Sequence, residues 1–147
     1  TLMHGSKGAP VWFLWVHLIL NGLMVLPFGG VLERKRGSRQ VLIVFVTATA
    51  LSSTVFHLLT QGQDIQATGI SAVGYAFVTG EFLLLPNMWK EYSLSVKLFY
   101  LFLVFLSALM LLPAITGWIS TWLHLSGIAS YLLVFIGSKG LRRRTDY

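Results

Sequence analysis

The amino-acid sequence predicts an all-α membrane protein, a polytopic bundle of transmembrane helices. Three observations support this prediction: 55% of the 147 residues are hydrophobic, only 11% are charged, and long apolar segments recur along the chain. Soluble domains carry about 25% charged residues, and a helix needs about 20 mostly apolar residues to cross the hydrocarbon. A closed barrel also spans a bilayer, but these segments lack the period-two alternation of barrel strands.

Five apolar segments are long enough to span the membrane. In chain order they cover about 11–30, 40–61, 67–87, 94–115 and 118–137. No linker or low-complexity segment is long enough to separate two domains, so we expect one transmembrane domain over residues 1–147.

The basic loops predict the orientation of the bundle. The segments 32–40, 87–97 and 138–147 hold four, two and four of the eleven Lys and Arg residues, whereas the alternate loops 61–66 and 114–117 hold none. Basic loops stay on the cytoplasmic side of a membrane. We therefore expect an integral membrane protein with its N-terminus outside and its C-terminus in the cytoplasm.

Composition also excludes several classes of site. The chain has no cysteine, which rules out disulfides, thiolate metal sites and a cysteine nucleophile. Its net charge of +6 comes from loop clusters and not from a basic face with interleaved aromatics, so we expect no nucleic-acid partner. We also expect no cofactor.

Polar residues of three spans fall at one depth. His17 lies six residues inside the first span, Ser71 four inside the third and His124 six inside the fifth. All three spans run from outside to inside, so at 1.5 Å per residue each side chain lies roughly 6 to 9 Å below the outer surface. The three residues are therefore expected to share one layer.

The chemistry of this layer resembles that of a hydrolase. A serine is a weak nucleophile until a base takes its proton, and Glu81 lies roughly 15 Å deeper than Ser71 on the same helix. His17 and His124 are thus the available bases. We choose His124 because His17 is paired with Asn21, and we expect His124 within hydrogen-bond reach of the Ser71 hydroxyl.

The remaining polar residues suggest an oxyanion hole. Asn21 follows His17 by four residues, so both side chains share a helix face, and an amide beside an imidazole can donate hydrogen bonds to a developing oxyanion. Tyr75 follows Ser71 by four residues and is expected to pack against the base.

Simpler interpretations remain for each residue. A single serine or asparagine in a transmembrane helix commonly serves packing or bonds to its own backbone. Two histidines also suggest a metal site, but no carboxylate or third ligand occupies the layer, so we discount zinc.

The motifs that carry these residues resemble those of rhomboid intramembrane serine proteases. "HLILNGLMVLPFGGVLERKRGS" (17–38) is similar to the family's H-x-x-x-N helix and the F-G-G-x-x-E loop that follows it. "GISAVGYAFVTG" (69–80) resembles the G-x-S-G serine motif, and "HLSG" (124–127) resembles the H-x-x-G of the last helix. The family core has six helices, so the five spans here correspond to its second to sixth.

The resemblance implies a role for each residue of the layer. Ser71 would be the nucleophile and His124 the general base of a Ser-His dyad, with the oxyanion hole formed by His17, Asn21 and the backbone N–H of Ser71. Tyr75 would stack on the base.

Two glycines would support this site, Gly69 before the serine and Gly127 in the last helix. The bacterial-type core implies a location in a prokaryotic plasma membrane, where the protein would cut transmembrane protein substrates near the outer face of the bilayer.

Three residues differ from the family pattern. Ala72 replaces the glycine after the serine, Leu123 replaces a small residue before the base, and Tyr131 replaces a second glycine in the last helix. None of these differences removes a reacting group.

Three functions remain open from the sequence. The first is an active protease, and the second is a rhomboid-like pseudoprotease that binds membrane proteins without cutting them. The third is a small transporter or channel subunit, which the lack of a carboxylate in the layer and of inverted repeats disfavours. The sequence indicates no oligomeric state.

Overall fold

A computed structural model of the protein describes residues 11–61 and 70–145. Within these residues the chain forms six α-helices and no strand, which confirms the predicted all-α bundle. The helices are α1 (Val11–Arg36), α2 (Ser38–Leu59), α3 (Ile70–Met88), α4 (Leu94–Met110), α5 (Pro113–Thr116) and α6 (Trp118–Thr145), with a 3₁₀ turn at Trp89–Glu91.

Three of these helices are long and apolar enough to cross a membrane. They cover Trp15–Arg36, Ser38–Leu59 and Trp118–Ser138. Two further apolar helices, Ile70–Leu83 and Leu94–Met110, are shorter. The chain is therefore an integral membrane protein, and the crossing of all five predicted spans stays a prediction.

Helix α3 forms the centre of the bundle. It packs against α1, α2 and α6, and every residue from 71 to 77 is buried. Several of these side chains are small, among them Ala72, Gly74 and Ala76. Small residues let membrane helices approach closely where van der Waals packing drives association, which explains how α3 accommodates three neighbours.

One close contact explains how Tyr131 fits at a position where the resemblance predicts a glycine. Tyr131 of α6 is only 1% exposed, and its ring lies over Gly80 of α3. A Cβ added to Gly80 would come within 2.8 Å of the Tyr131 Cζ atom and closer still to Cε2. The space that the larger α6 residue needs is therefore provided by a glycine on α3.

Glu81 is the buried carboxyl of the bundle. It is 1% exposed and accepts a hydrogen bond from the Tyr92 hydroxyl at 3.1 Å, while the Tyr92 ring stacks on Tyr100 of α4 at a centroid distance of 5.4 Å. Burial and the nearby Glu81 raise the pKa of Tyr92 to about 12, so this hydroxyl remains a donor at neutral pH. These contacts connect the N-terminal half of α4 to α3.

The predicted fourth span, about 94–115, is divided in the structure. Helix α4 ends at Met110, and the short helix α5 follows from Pro113, because a proline has no N–H with which to continue a helix. Gly117 then adopts a φ of 83°, a left-handed conformation that glycine adopts without strain. This turn directs the chain into α6 and toward His124.

The Gly80–Tyr131 contact leads to a stability prediction. We expect Gly80→Ala to lower the free energy of unfolding in detergent by about 1–3 kcal/mol, the usual range for overpacking, because the buried ring cannot move aside. Gly137→Ala is the matched control: nothing lies within 4 Å of its added Cβ, so stability should hold or rise. Equal stability of Gly80→Ala and the wild type would contradict the packing described for Tyr131.

Candidate active site

The predicted polar residues line one cavity between α1, α3 and α6. The cavity has a volume of about 120 Å³, room for several water molecules at about 10–15 Å³ each. Its described lining consists of Val16, His17, Leu20, Asn21, Met24, Ser71, Tyr75, Met110, Ile115, Thr116 and His124, with no Lys, Arg, Asp or Glu among them. Among these residues, the two histidines are the side chains that can act as a base near neutral pH.

Ser71 lies at the start of α3 and faces this cavity. It is 3% exposed, and its hydroxyl oxygen makes no hydrogen bond to any described residue. The hydrogen bond expected between Ser71 and His124 is therefore not formed in the structure. Catalytic hydrogen bonds are often long without substrate and shorten in the complex, and both side chains line the same cavity.

His124 lies near the start of α6 and is held on two sides. Its Nδ1 atom is 3.1 Å from the backbone carbonyl oxygen of Met110, and its ring stacks on Tyr75 with centroids 4.2 Å apart. A carbonyl oxygen only accepts hydrogen bonds, so Nδ1 carries the proton in this contact. Nε2 is then the basic nitrogen of the neutral ring.

Tyr75 is itself anchored to a neighbouring helix. Its hydroxyl donates to the backbone carbonyl of Ser107 in α4 at 2.7 Å. One side chain therefore connects α3, where the serine lies, with α4 and with the imidazole of α6. The contact restricts the ring on which His124 rests.

The two predicted oxyanion donors lie on α1, across the cavity from α6. Asn21 is buried and His17 is half-buried, and both line the cavity with Ser71. Ser71 is the second residue of the described part of α3. The side chains of His17, Asn21 and Ser71 thus line the same cavity from α1 and α3.

Gly127 sets the distance between the two reacting helices. A Cβ added there would meet the backbone of Ala72, whose carbonyl carbon would lie 2.9 Å away and whose oxygen would be closer. Helices α3 and α6 therefore touch backbone to backbone beside the cavity. Ala72 and Leu123 are both buried at this contact region, and Gly69 lies outside the described residues.

The structure also bears on metal binding. Across residues 11–61 and 70–145, no group of three or more His, Cys, Asp or Glu side chains is arranged to hold a metal ion. The site chemistry that these residues support is therefore that of hydroxyl, imidazole and amide groups.

Sequence reasoning missed two partners at the site, the carbonyl oxygens of Met110 and Ser107. Every residue carries a backbone carbonyl, so residue type holds no signal for either one. Pro113 is the only local indication, because a proline just after a helix leaves carbonyls of the last turn without donors.

Comparison with known proteins identifies one family. A model of the Rhomboid domain matches residues 10–140, which is most of the chain. No curated protein and no solved structure matches at the significance that the comparison required.

Tyr75 provides a test of this site geometry. We expect Tyr75→Phe to lower the free energy of unfolding by about 1–3 kcal/mol, because the buried Ser107 carbonyl loses its donor. Tyr75→Leu should lower it further, since the ring stack on His124 is lost as well. Denaturant unfolding in detergent would measure both.

The matched control is Ser107→Ala, which keeps the backbone carbonyl and removes only a hydroxyl bonded to Leu103. This variant should be close to the wild type. A Tyr75→Phe protein as stable as the wild type would contradict the anchoring role of the tyrosine hydroxyl.

Proposed function

The chain belongs to the rhomboid family, and on that premise we propose that it is an intramembrane serine protease. Ser71 is the nucleophile and His124 the general base of its Ser-His dyad. The observation that carries the proposal is the joint position of both residues on one cavity whose described lining carries no Lys, Arg, Asp or Glu, with the His124 Nδ1 atom bonded to a backbone carbonyl.

The dyad acts by acyl transfer. His124 Nε2 takes the Ser71 proton while Oγ attacks the carbonyl carbon of the scissile peptide bond, and the imidazolium then gives that proton to the leaving amine. A water molecule, deprotonated by the same nitrogen, attacks the acyl-enzyme and releases the second product. The cavity volume is sufficient for this water.

The negative oxygen of the tetrahedral intermediate needs hydrogen-bond donors. The Asn21 amide, the His17 imidazole and the Ser71 backbone N–H surround the cavity from α1 and α3 and supply them. No described residue of the cavity lining is a Lys, Arg, Asp or Glu. Preorganised donors act at low dielectric in such a site, where one of them typically contributes about 2.7–4 kcal/mol to transition-state stabilisation.

The substrates are transmembrane proteins that reach the site from the bilayer. The basic loops favour an outer position for the cavity, and on that orientation scission falls in the outer part of the substrate helix. The family assignment and the apolar helices support this location in a membrane. A prokaryotic plasma membrane with a cytoplasmic C-terminus is the setting that the sequence pattern favours.

A pseudoprotease that binds membrane proteins without cutting them is the second candidate. No described residue makes a hydrogen bond to the Ser71 hydroxyl, and this favours the second candidate if the contact with His124 also fails to form when substrate binds. The two candidates differ in whether Ser71 reacts with an electrophile.

Covalent labelling of Ser71 tests the protease. We expect a fluorophosphonate to label the wild type, because His124 removes the serine proton, and to label neither Ser71→Ala nor His124→Ala. Ser52→Ala is the matched control. This buried serine of α2 donates its hydroxyl to the backbone carbonyl of Thr49 in the same helix, and its loss should leave labelling unchanged. Gel fluorescence of purified protein in detergent is the measurement.

Two results would contradict the proposed dyad. Labelling of Ser71→Ala at the wild-type level would place the reactive group elsewhere. No labelling of a folded wild type would leave the pseudoprotease as the function.

The oxyanion donors lead to a graded effect on turnover. We expect Asn21→Ala to lower kcat for a transmembrane substrate by about 10²- to 10³-fold, the usual loss of one such donor, while Ser71→Ala leaves no cleavage. Leu18→Ala is the control on α1, since that side chain is 57% exposed and is not part of the described cavity lining. Equal rates for Asn21→Ala and Leu18→Ala would remove Asn21 from the oxyanion hole.

A further inference from the structure

The end of α4 has an unusual pattern of hydrogen bonds. Its last backbone donors bond to the third residue before them: Leu111 N donates to the Ala108 carbonyl and Leu112 N to the Leu109 carbonyl, both at 3.1 Å. If this pattern continued, the next donor would be residue 113 and its acceptor the Met110 carbonyl, but Leu112 is extended, with φ −75° and ψ 121°, and the pattern stops there. Residue 113 is a proline, which has no N–H.

The Met110 carbonyl is therefore left to side chains. It accepts from the Thr116 hydroxyl at 3.1 Å and from His124 Nδ1 at 3.1 Å. A carbonyl oxygen has two lone pairs, so these two donors fill it. A proline also keeps the residue before it out of the helical conformation. With another residue at 113, Leu112 could become helical, and the new N–H would then compete with both donors.

We propose that Pro113 is a positioning residue for the general base. By withholding an N–H, it keeps the Met110 carbonyl available to His124 and holds the imidazole in the Nδ1–H tautomer, with Nε2 as the base for Ser71. This role rests on the proposed protease function, because it assigns the base of that reaction its orienting partner.

The end of α4 also supplies electrostatic stabilisation. The carbonyl end of a helix carries a partial negative charge, which favours a cation in its last turn. His124 becomes an imidazolium when it takes the serine proton, and it then lies against this helix end. In a Ser-His-Asp triad a buried carboxylate orients the histidine and stabilises the imidazolium. Here the Met110 carbonyl takes that place without a buried charge.

Substitution of the proline tests this role directly. Pro113→Ala and Pro113→Gly each introduce an N–H and remove the restriction that keeps Leu112 extended. The 3₁₀ pattern can then continue to the Met110 carbonyl, so His124 should populate both neutral tautomers. Leu112→Ala is the matched control, because it alters an exposed neighbour and keeps the proline.

The primary readout is the tautomer of His124, recorded by ¹⁵N NMR of histidine-labelled full-length chain in detergent. A His124→Ala spectrum assigns the signal, and a Ser71→Ala background removes any self-cleavage. We expect the Nδ1–H tautomer alone in the proline-containing protein and in Leu112→Ala, and a mixture in the two Pro113 variants.

Kinetics give the second readout. A general base contributes about 10²- to 10⁴-fold to a rate, so its partial misorientation should lower kcat by roughly 10- to 100-fold. KM should change little, because Pro113 does not line the cavity.

Each outcome decides the proposal. An Nε2–H tautomer in the proline-containing protein would overturn it, as would an unmixed Nδ1–H tautomer in a folded Pro113→Ala. Failure of both Pro113 variants to fold beside a folded Leu112→Ala would show that the proline serves the fold, and would also overturn it. If the tautomer shifts as expected but the wild type cleaves nothing, the orienting contact stands and the protease function fails.

Discussion

The backbone contact between α3 and α6 is the constraint on which the rest of the site depends. Gly127 has no side chain, and the Ala72 carbonyl occupies the space that a Cβ would fill. In a membrane the helices gain little from burying apolar surface, so such close van der Waals contact is what holds them together. The contact brings the start of α3, with Ser71, beside the start of α6, with His124.

The polar chemistry of the cavity is supplied without buried charge. An ionised carboxylate in this layer would need compensation for its lost solvation, and none of the described residues that line the cavity is an Asp or Glu. Backbone carbonyls take over instead: Met110 accepts from His124, and Ser107 accepts from Tyr75. Both acceptors belong to the last turn of α4, where helix carbonyls lack intrahelical donors.

The contact between α3 and α6 away from the cavity shows how a difference from the family pattern is accommodated. Tyr131 adds a large ring where a glycine is expected, and Gly80 on the facing helix provides the space. Near the cavity, α3 and α6 approach closely at Gly127. Farther along the same pair of helices, the Tyr131 ring packs against Gly80. Packing volume is thus conserved across the pair of helices and not at each position.

Glu81 follows Gly80 on α3, and its carboxyl lies apart from the cavity. It accepts a hydrogen bond from Tyr92, just before α4, and Tyr92 stacks on Tyr100. The C-terminal end of α4 contacts α3 through Tyr75. Two tyrosine hydroxyls therefore tie α4 to the central helix, and between them its surface is largely apolar and exposed.

The sequence by itself determined the fold class and the family, because long apolar segments and spaced polar motifs are properties of residue type. It also predicted that His17, Ser71 and His124 share a layer, and all three line one cavity. Only the tertiary structure determined that the Met110 carbonyl is a partner of His124 and that Tyr131 packs against Gly80. It also determined that no described residue makes a hydrogen bond to the Ser71 hydroxyl. These features depend on backbone carbonyls and on distances between helices, and both follow from packing across the chain, which no local pattern of residues encodes.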